Sequence, residues 1–139
     1  MKNRAAQLFL RLSLAAGFLS AVADRFGIWG SPGDPNVAWG TWVAFVEYVG
    51  VLNPWVPTGL LPALAWFATI AESGLAIGLL VGWNTKWMAL GSGALLLTFA
   101  LAMTFSLGIK APLDYSVFPA ASAALLLHLV SPGTGRFRA

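Results

Sequence analysis

The stretch Trp66–Trp83 reads WFATIAESGLAIGLLVGW, an apolar run with one carboxylate, Glu72, at its middle. Extended back to Leu60, the run covers Leu60–Trp83. That is close to the roughly 20 residues a helix needs to cross a hydrocarbon core about 30 Å thick. The whole chain has the same character. Of its 139 residues, 58% are hydrophobic and only 9% charged, and its mean hydropathy is +0.77. A soluble domain carries about 25% charged residues, and a chain this short cannot hide so much apolar surface in one core. The sequence therefore predicts a single all-α integral membrane domain, residues 1–139, with lipid covering much of its surface.

Three further apolar segments accompany residues 60–83. They are residues 5–23, interrupted by Arg11; residues 87–109, without charge; and residues 112–130, with Asp114 near the start and the only histidine, His128, near the end. Spans in lipid must be helices, because an open strand leaves backbone groups unpaired. The expected architecture is a four-helix bundle with spans at about 5–23, 60–83, 87–109 and 112–130. The first segment also resembles a cleavable secretory signal, with Lys2, Arg4 and an Ala21-Val22-Ala23 end. Arg11 inside the apolar region argues for a retained span.

The connections differ. GWNTKW (Gly82–Trp87) is a tight turn, which makes the second and third spans antiparallel neighbours. Between the first and second spans lies a long segment. Its middle part, about residues 37–52, is bounded by prolines and carries Trp39, Trp42, Val43, Val46 and Val49 at helical spacing. This predicts a short interfacial helix in the first outer loop, with a buried lid over the bundle end as the alternative. Lys2, Arg4, Lys86, Arg136 and Arg138 fall at one set of span ends, and Arg25 and Lys110 at the other. That bias places both termini in the cytoplasm. Gly74, Gly78 and Gly82, four apart, predict close helix packing.

A charge at the centre of a spanning helix costs about 2.5–3.5 kcal/mol, so such residues are paired or used. At about 1.5 Å per residue, Glu72 lies roughly 15 Å from the cytoplasmic end of its span, Arg11 roughly 9 Å and His128 roughly 6 Å. Arg11, Glu72 and His128 are therefore expected to converge as an inner polar cluster, with Arg11 the partner of Glu72. Against this stand a snorkelling Arg11 and a protonated Glu72 bonded to a neighbouring helix. A second, outer cluster is expected from Asp24, Arg25, Glu47 and Asp114. Charges at helix ends are usually solvated or cap the helix, so at most one of these is expected to be functional, Asp24 and Arg25 first.

The absence of cysteine excludes a dithiol relay, a thiolate nucleophile and a thiolate-bound metal within the chain. One histidine cannot supply both axial ligands of a haem, so no metal is expected. Nucleotide-binding loops, catalytic-triad order and a basic nucleic-acid face are also missing.

Three stretches in order carry a resemblance: LFLRLSLAAGFLSAVADRFG (Leu8–Gly27), FVEYVGVLNPWVP (Phe45–Pro57) and AESGLAIGLLVGWNTKWMAL (Ala71–Leu90). They resemble the DoxX family of small bacterial and archaeal four-helix membrane proteins, over about Leu8–Val130. The resemblance implies a bundle in the cytoplasmic membrane that acts as a subunit of a redox assembly, quinone-linked, sulfur-oxidising or protective against oxidative stress. It also implies other protein subunits as partners, and Arg11 and Glu72 as matching the family's recurrent polar positions. No cofactor is fixed by the sequence; on this reading a quinone is the candidate, with Arg11, Glu72 and His128 hydrogen-bonding it or carrying protons. The thiol-oxidising chemistry of related four-helix proteins does not transfer to a chain without cysteine. The alternatives are a structural anchor or assembly factor without a cofactor, and a small transporter or channel subunit using Glu72.

Overall fold

The computed structural model describes residues 3–133. Lys2, Arg136 and Arg138 of the charge-bias argument lie outside the described residues. The described chain is all helical: α1 (Arg4–Arg25), α2 (Trp42–Leu52), α3 (Leu61–Val81), α4 (Thr85–Leu107), α5 (Lys110–Asp114) and α6 (Val117–Val130), with a single 3-10 turn, Thr58–Leu60, leading into α3.

The boundaries have local causes. Asn3 caps α1, its side chain accepting from Ala6 N at 3.2 Å, and Thr41 does the same for α2 through Ala44 N at 3.2 Å. α2 stops at Asn53, ahead of Pro54. Pro62 sits in the first turn of α3, where its missing N–H is not needed. α3 ends on Gly82 in the left-handed region, φ 73°. A side chain there would also meet Arg11, since a Cβ would lie 2.7 Å from Nη2.

α1, α3, α4 and α6 form a four-membered ring in which each helix packs on the next and α6 closes on α1. The core joins all four through Leu14, Ala15 and Phe18 of α1, Ala76 and Leu79 of α3, Ala89 of α4, and Ala124 and Leu127 of α6. Small residues let α4 come close to its neighbours. A Cβ on Gly78 would lie 2.5 Å from Met88 Sδ, and one on Gly93 would lie 3.1 Å from a Leu125 methyl. The expected glycine face is split: Gly78 meets α4, Gly82 meets Arg11, and Gly74 faces open space.

Two expectations change. The segment at 112–130 is not one continuous helix. It breaks at Tyr115–Ser116, with Ser116 in the left-handed region at φ 55°. α6 is therefore only 14 residues, about 21 Å long. Three helices, at Arg4–Arg25, Thr58–Val81 and Thr85–Leu107, are long and apolar enough to cross a membrane; α6 is a shorter apolar helix. Second, α2 does not lie apart from the bundle. Phe45 and Val49 are buried against Ala65 of α3, with Trp39, Trp42 and Leu61 packed around them. The Ser106 hydroxyl of α4 donates to Leu52 O at 2.7 Å. α2 is a lid over one end of the ring, and the α3–α4 turn lies at the other end.

Candidate functional site

Beneath the α2 lid lies a partly open cavity of about 1080 Å³. Its walls are mostly apolar, with Leu14 and Phe18 from α1, Ala68 from α3, Leu96 and Met103 from α4 and Ala120 from α6. Its buried charged groups are Arg25 and, beside it, Glu72, which are 2% and 3% exposed.

Arg25 is the last residue of α1, and its side chain turns into the bundle. Its Nη2 forms an ion pair with Glu72 Oε2. Its Nη1 donates to Thr69 Oγ1 at 2.7 Å, and the Thr69 hydroxyl donates in turn to Ala65 O at 2.9 Å. Thr69 and Glu72 are three apart on α3, so both face the same guanidinium. The flat face of that group lies over the Phe45 ring, 3.8 Å from its centroid, with Trp39 at 5.5 Å. Desolvated cation–π contacts of this kind contribute about 2 kcal/mol. Arg25 Nε is enclosed and has no hydrogen-bond partner among the described residues.

The neighbouring Asp24 builds the roof. Its Oδ2 accepts from Ala38 N at 2.9 Å, and its Oδ1 from Trp39 N at 2.8 Å and Gly40 N at 3.0 Å. One carboxylate thus ties the loop to the end of α1 and holds Trp39 beside Arg25. Gly40 is obligatory in this fold-back. Its φ is +71°, and a Cβ would lie 2.6 Å from Pro32 N.

The remaining sequence-predicted residues separate. Arg11 does not reach Glu72. Its Nε donates to Leu79 O at 2.8 Å and its Nη2 to Leu80 O at 3.0 Å, satisfying carbonyls at the end of α3. His128 Nδ1–H donates to Lys86 O at 2.8 Å, with Trp87 packed nearby at 6.1 Å between ring centroids. Arg11 and His128 therefore both serve the region around the α3–α4 turn, while Glu72 belongs to the cavity. The expected inner cluster is not formed, and the Glu72 partner is Arg25. The outer cluster also divides. Asp24 and Arg25 build the site, and Glu47 lies at the cavity wall with an exposed side chain. Asp114 pairs instead with Lys110 at 2.5 Å on the surface.

Tyr48 and Tyr115, which the sequence reading did not single out, also line the cavity. Burial, then the nearby Tyr115, raises the Tyr48 phenol above the ordinary tyrosine range and keeps it a neutral hydroxyl. Among the described residues, no group of three or more His, Asp or Glu side chains is placed to hold a metal ion. No protein-family model, curated protein or solved structure matches this chain.

Proposed function

We propose that this protein is a membrane-embedded bundle that holds a lipid-soluble ligand with a hydrogen-bonding head, an isoprenoid quinone, in the cavity under α2. Such a protein would serve as a membrane subunit of a redox assembly, the role that the DoxX resemblance implies. The observation that carries the ligand reading is one buried Arg–Glu pair in the wall of a mostly apolar cavity. Pockets for small molecules have this form, with apolar walls and a few polar groups that fix orientation. Arg25 is a donor for a quinone oxygen, and Glu72 and Thr69 hold it in place. The Arg25 Nε–H, enclosed, has no hydrogen-bond partner among the described residues.

Membrane embedding has separate support. Large apolar side chains point outward all round the bundle, including Phe9 (72% exposed), Ile70 (66%), Phe105 (79%) and Leu129 (76%). In water this would be a severe aggregation liability; in a bilayer it is the expected outer surface. Arg25 is buried and so no longer counts as a loop charge. That strengthens the Lys/Arg bias toward the α3–α4 turn side and supports cytoplasmic termini in a cytoplasmic membrane.

Protein purified in mild detergent and extracted with organic solvent is expected to release an isoprenoid quinone. Titration with a benzoquinone is expected to quench the tryptophan fluorescence. Arg25→Gln should weaken that binding about tenfold, equivalent to about 1.4 kcal/mol. Equal binding by Arg25→Gln and the unaltered protein would remove Arg25 from the site. No binding at all would leave the structural-anchor reading.

A further inference from the structure

The cavity reaches the molecular surface along the seam between α1 and α6. Ser13, Gly17 and Ala21 lie on successive turns of α1 and all line the cavity, and Ser13 and Gly17 are also exposed. A Cβ added at Gly17 would meet nothing within 4 Å. Ala120 and Ala123 of α6 line the same cavity and are half-buried. Toward the α3–α4 turn the seam is shut. Gln7 Nε2 donates to Val130 O at 2.9 Å, and Leu14 shares the core with Ala124 and Leu127. From Arg4 to Ser13 and Gly17 is about 14–20 Å along the helix, which puts the gap near the middle of a spanning segment. Water is scarce at that depth.

We infer that the α1–α6 seam is a lateral portal, through which a ligand dissolved in the hydrocarbon of the bilayer enters the cavity without passing through water. This rests on the cavity being the ligand site, and it restricts the ligand to lipid-phase molecules. Between Leu10 on α1 and Val117 on α6, the residues named at the portal carry nothing larger than a methyl or hydroxymethyl group, so a flexible tail passes there without displacing the core. The cavity also approaches the surface below α2, at Val51, Phe67 and Thr98, whose side chains are larger than those at the α1–α6 seam and are themselves exposed. That second opening is the internal control.

The chain has no cysteine, so a single reporter thiol can be placed in the cavity. Ala68→Cys, one turn from Glu72 on α3, serves this purpose in protein reconstituted into phosphatidylcholine vesicles. Two maleimides are compared, one with an alkyl chain dissolved in the bilayer and one with a sulfonate confined to water. The alkyl reagent is expected to label the thiol and the sulfonated one to react far more slowly. Adding Gly17→Phe should slow the alkyl reagent about tenfold, the effect of about 1.4 kcal/mol on a barrier. Adding Thr98→Phe should leave the rate unchanged, and so should Gly17→Ala. Rates are compared in variants whose thermal midpoints match, and Ser13→Phe replaces Gly17→Phe if the latter does not fold. Fast labelling by the sulfonated reagent, no slowing by the portal substitution, or equal slowing by Thr98→Phe would each overturn the portal. Protection of the thiol by a long-tailed benzoquinone tests the ligand separately. Slowing by Gly17→Phe without protection by quinone would support the portal and reject the quinone.

Discussion

At the α3–α4 turn, Arg11 gives its protons to the carbonyls of Leu79 and Leu80, and His128 gives its own to Lys86 O. Under the α2 lid, Arg25 donates to the side chains of Glu72 and Thr69, lies over the Phe45 ring, and has no partner for its Nε–H among the described residues. Both regions place an arginine within apolar helices. The first spends it on backbone carbonyls that a helix end would otherwise leave unsatisfied. The second assembles side chains from three helices around an open volume. A polar group that completes the backbone explains itself structurally; one held by other buried side chains at a cavity wall is where the proposed ligand would bind. Arg11 and His128 are accordingly fold residues, and Arg25 and Glu72 are the candidate site.

The contrast can be broken most strongly at Arg25. Arg25→Leu strands a buried carboxylate, and removing one partner of a buried pair typically costs about 3–5 kcal/mol. Thermal unfolding in detergent should show the largest loss of any single substitution in the chain, together with loss of quinone binding. A smaller effect is expected from Asp24→Ala, which frees three loop N–H groups and unties Trp39. That should cost about 1–3 kcal/mol and loosen ligand binding, because the lid is no longer fixed. Arg11→Leu sharpens the comparison from the other side. It removes two charge-assisted bonds, worth about 1.5–3 kcal/mol each before the guanidinium's own desolvation cost is recovered, so the net loss should fall near or below the lower figure for one bond. Quinone binding should stay unchanged. The smallest effect belongs to His128→Phe, about 0.5–1.5 kcal/mol for one hydrogen bond, again without effect on binding.

The contrast between the regions also marks how far the sequence could be read. Apolar runs gave the helices within a few residues: 60–83 against Leu61–Val81, 87–109 against Thr85–Leu107, and 5–23 against Arg4–Arg25. The fourth run was misread because a hydropathy window does not register a backbone break. One left-handed residue, Ser116, divides α5 from α6 without interrupting the apolar pattern. Glu72 was legible because a carboxylate within an apolar run must be paired or used. Its partner was not. Arg25 ends the first apolar run, and charges at helix ends are usually solvated, so the sequence put it at an outer edge. In the structure the N-terminal part of α3 extends past the end of α1, and the loop and α2 cover the difference. Arg25 therefore sits opposite Thr69, well inside the molecule. The one available signal was the aromatic content of residues 37–52, which suits a lid as well as it suits an interface.

The most direct measurement is a pair of double-mutant cycles on thermal stability, one joining Arg25 and Glu72 and one joining Arg11 and Glu72, each residue replaced by leucine. The Arg25–Glu72 cycle should be strongly non-additive. The double variant should recover much of the loss of either single variant, with an interaction energy of about 2–3 kcal/mol. The Arg11–Glu72 cycle should add within about 0.5 kcal/mol, as distant sites do. Additive losses for Arg25 and Glu72 alongside coupling between Arg11 and Glu72 would contradict the site described here and return Glu72 to an inner polar cluster.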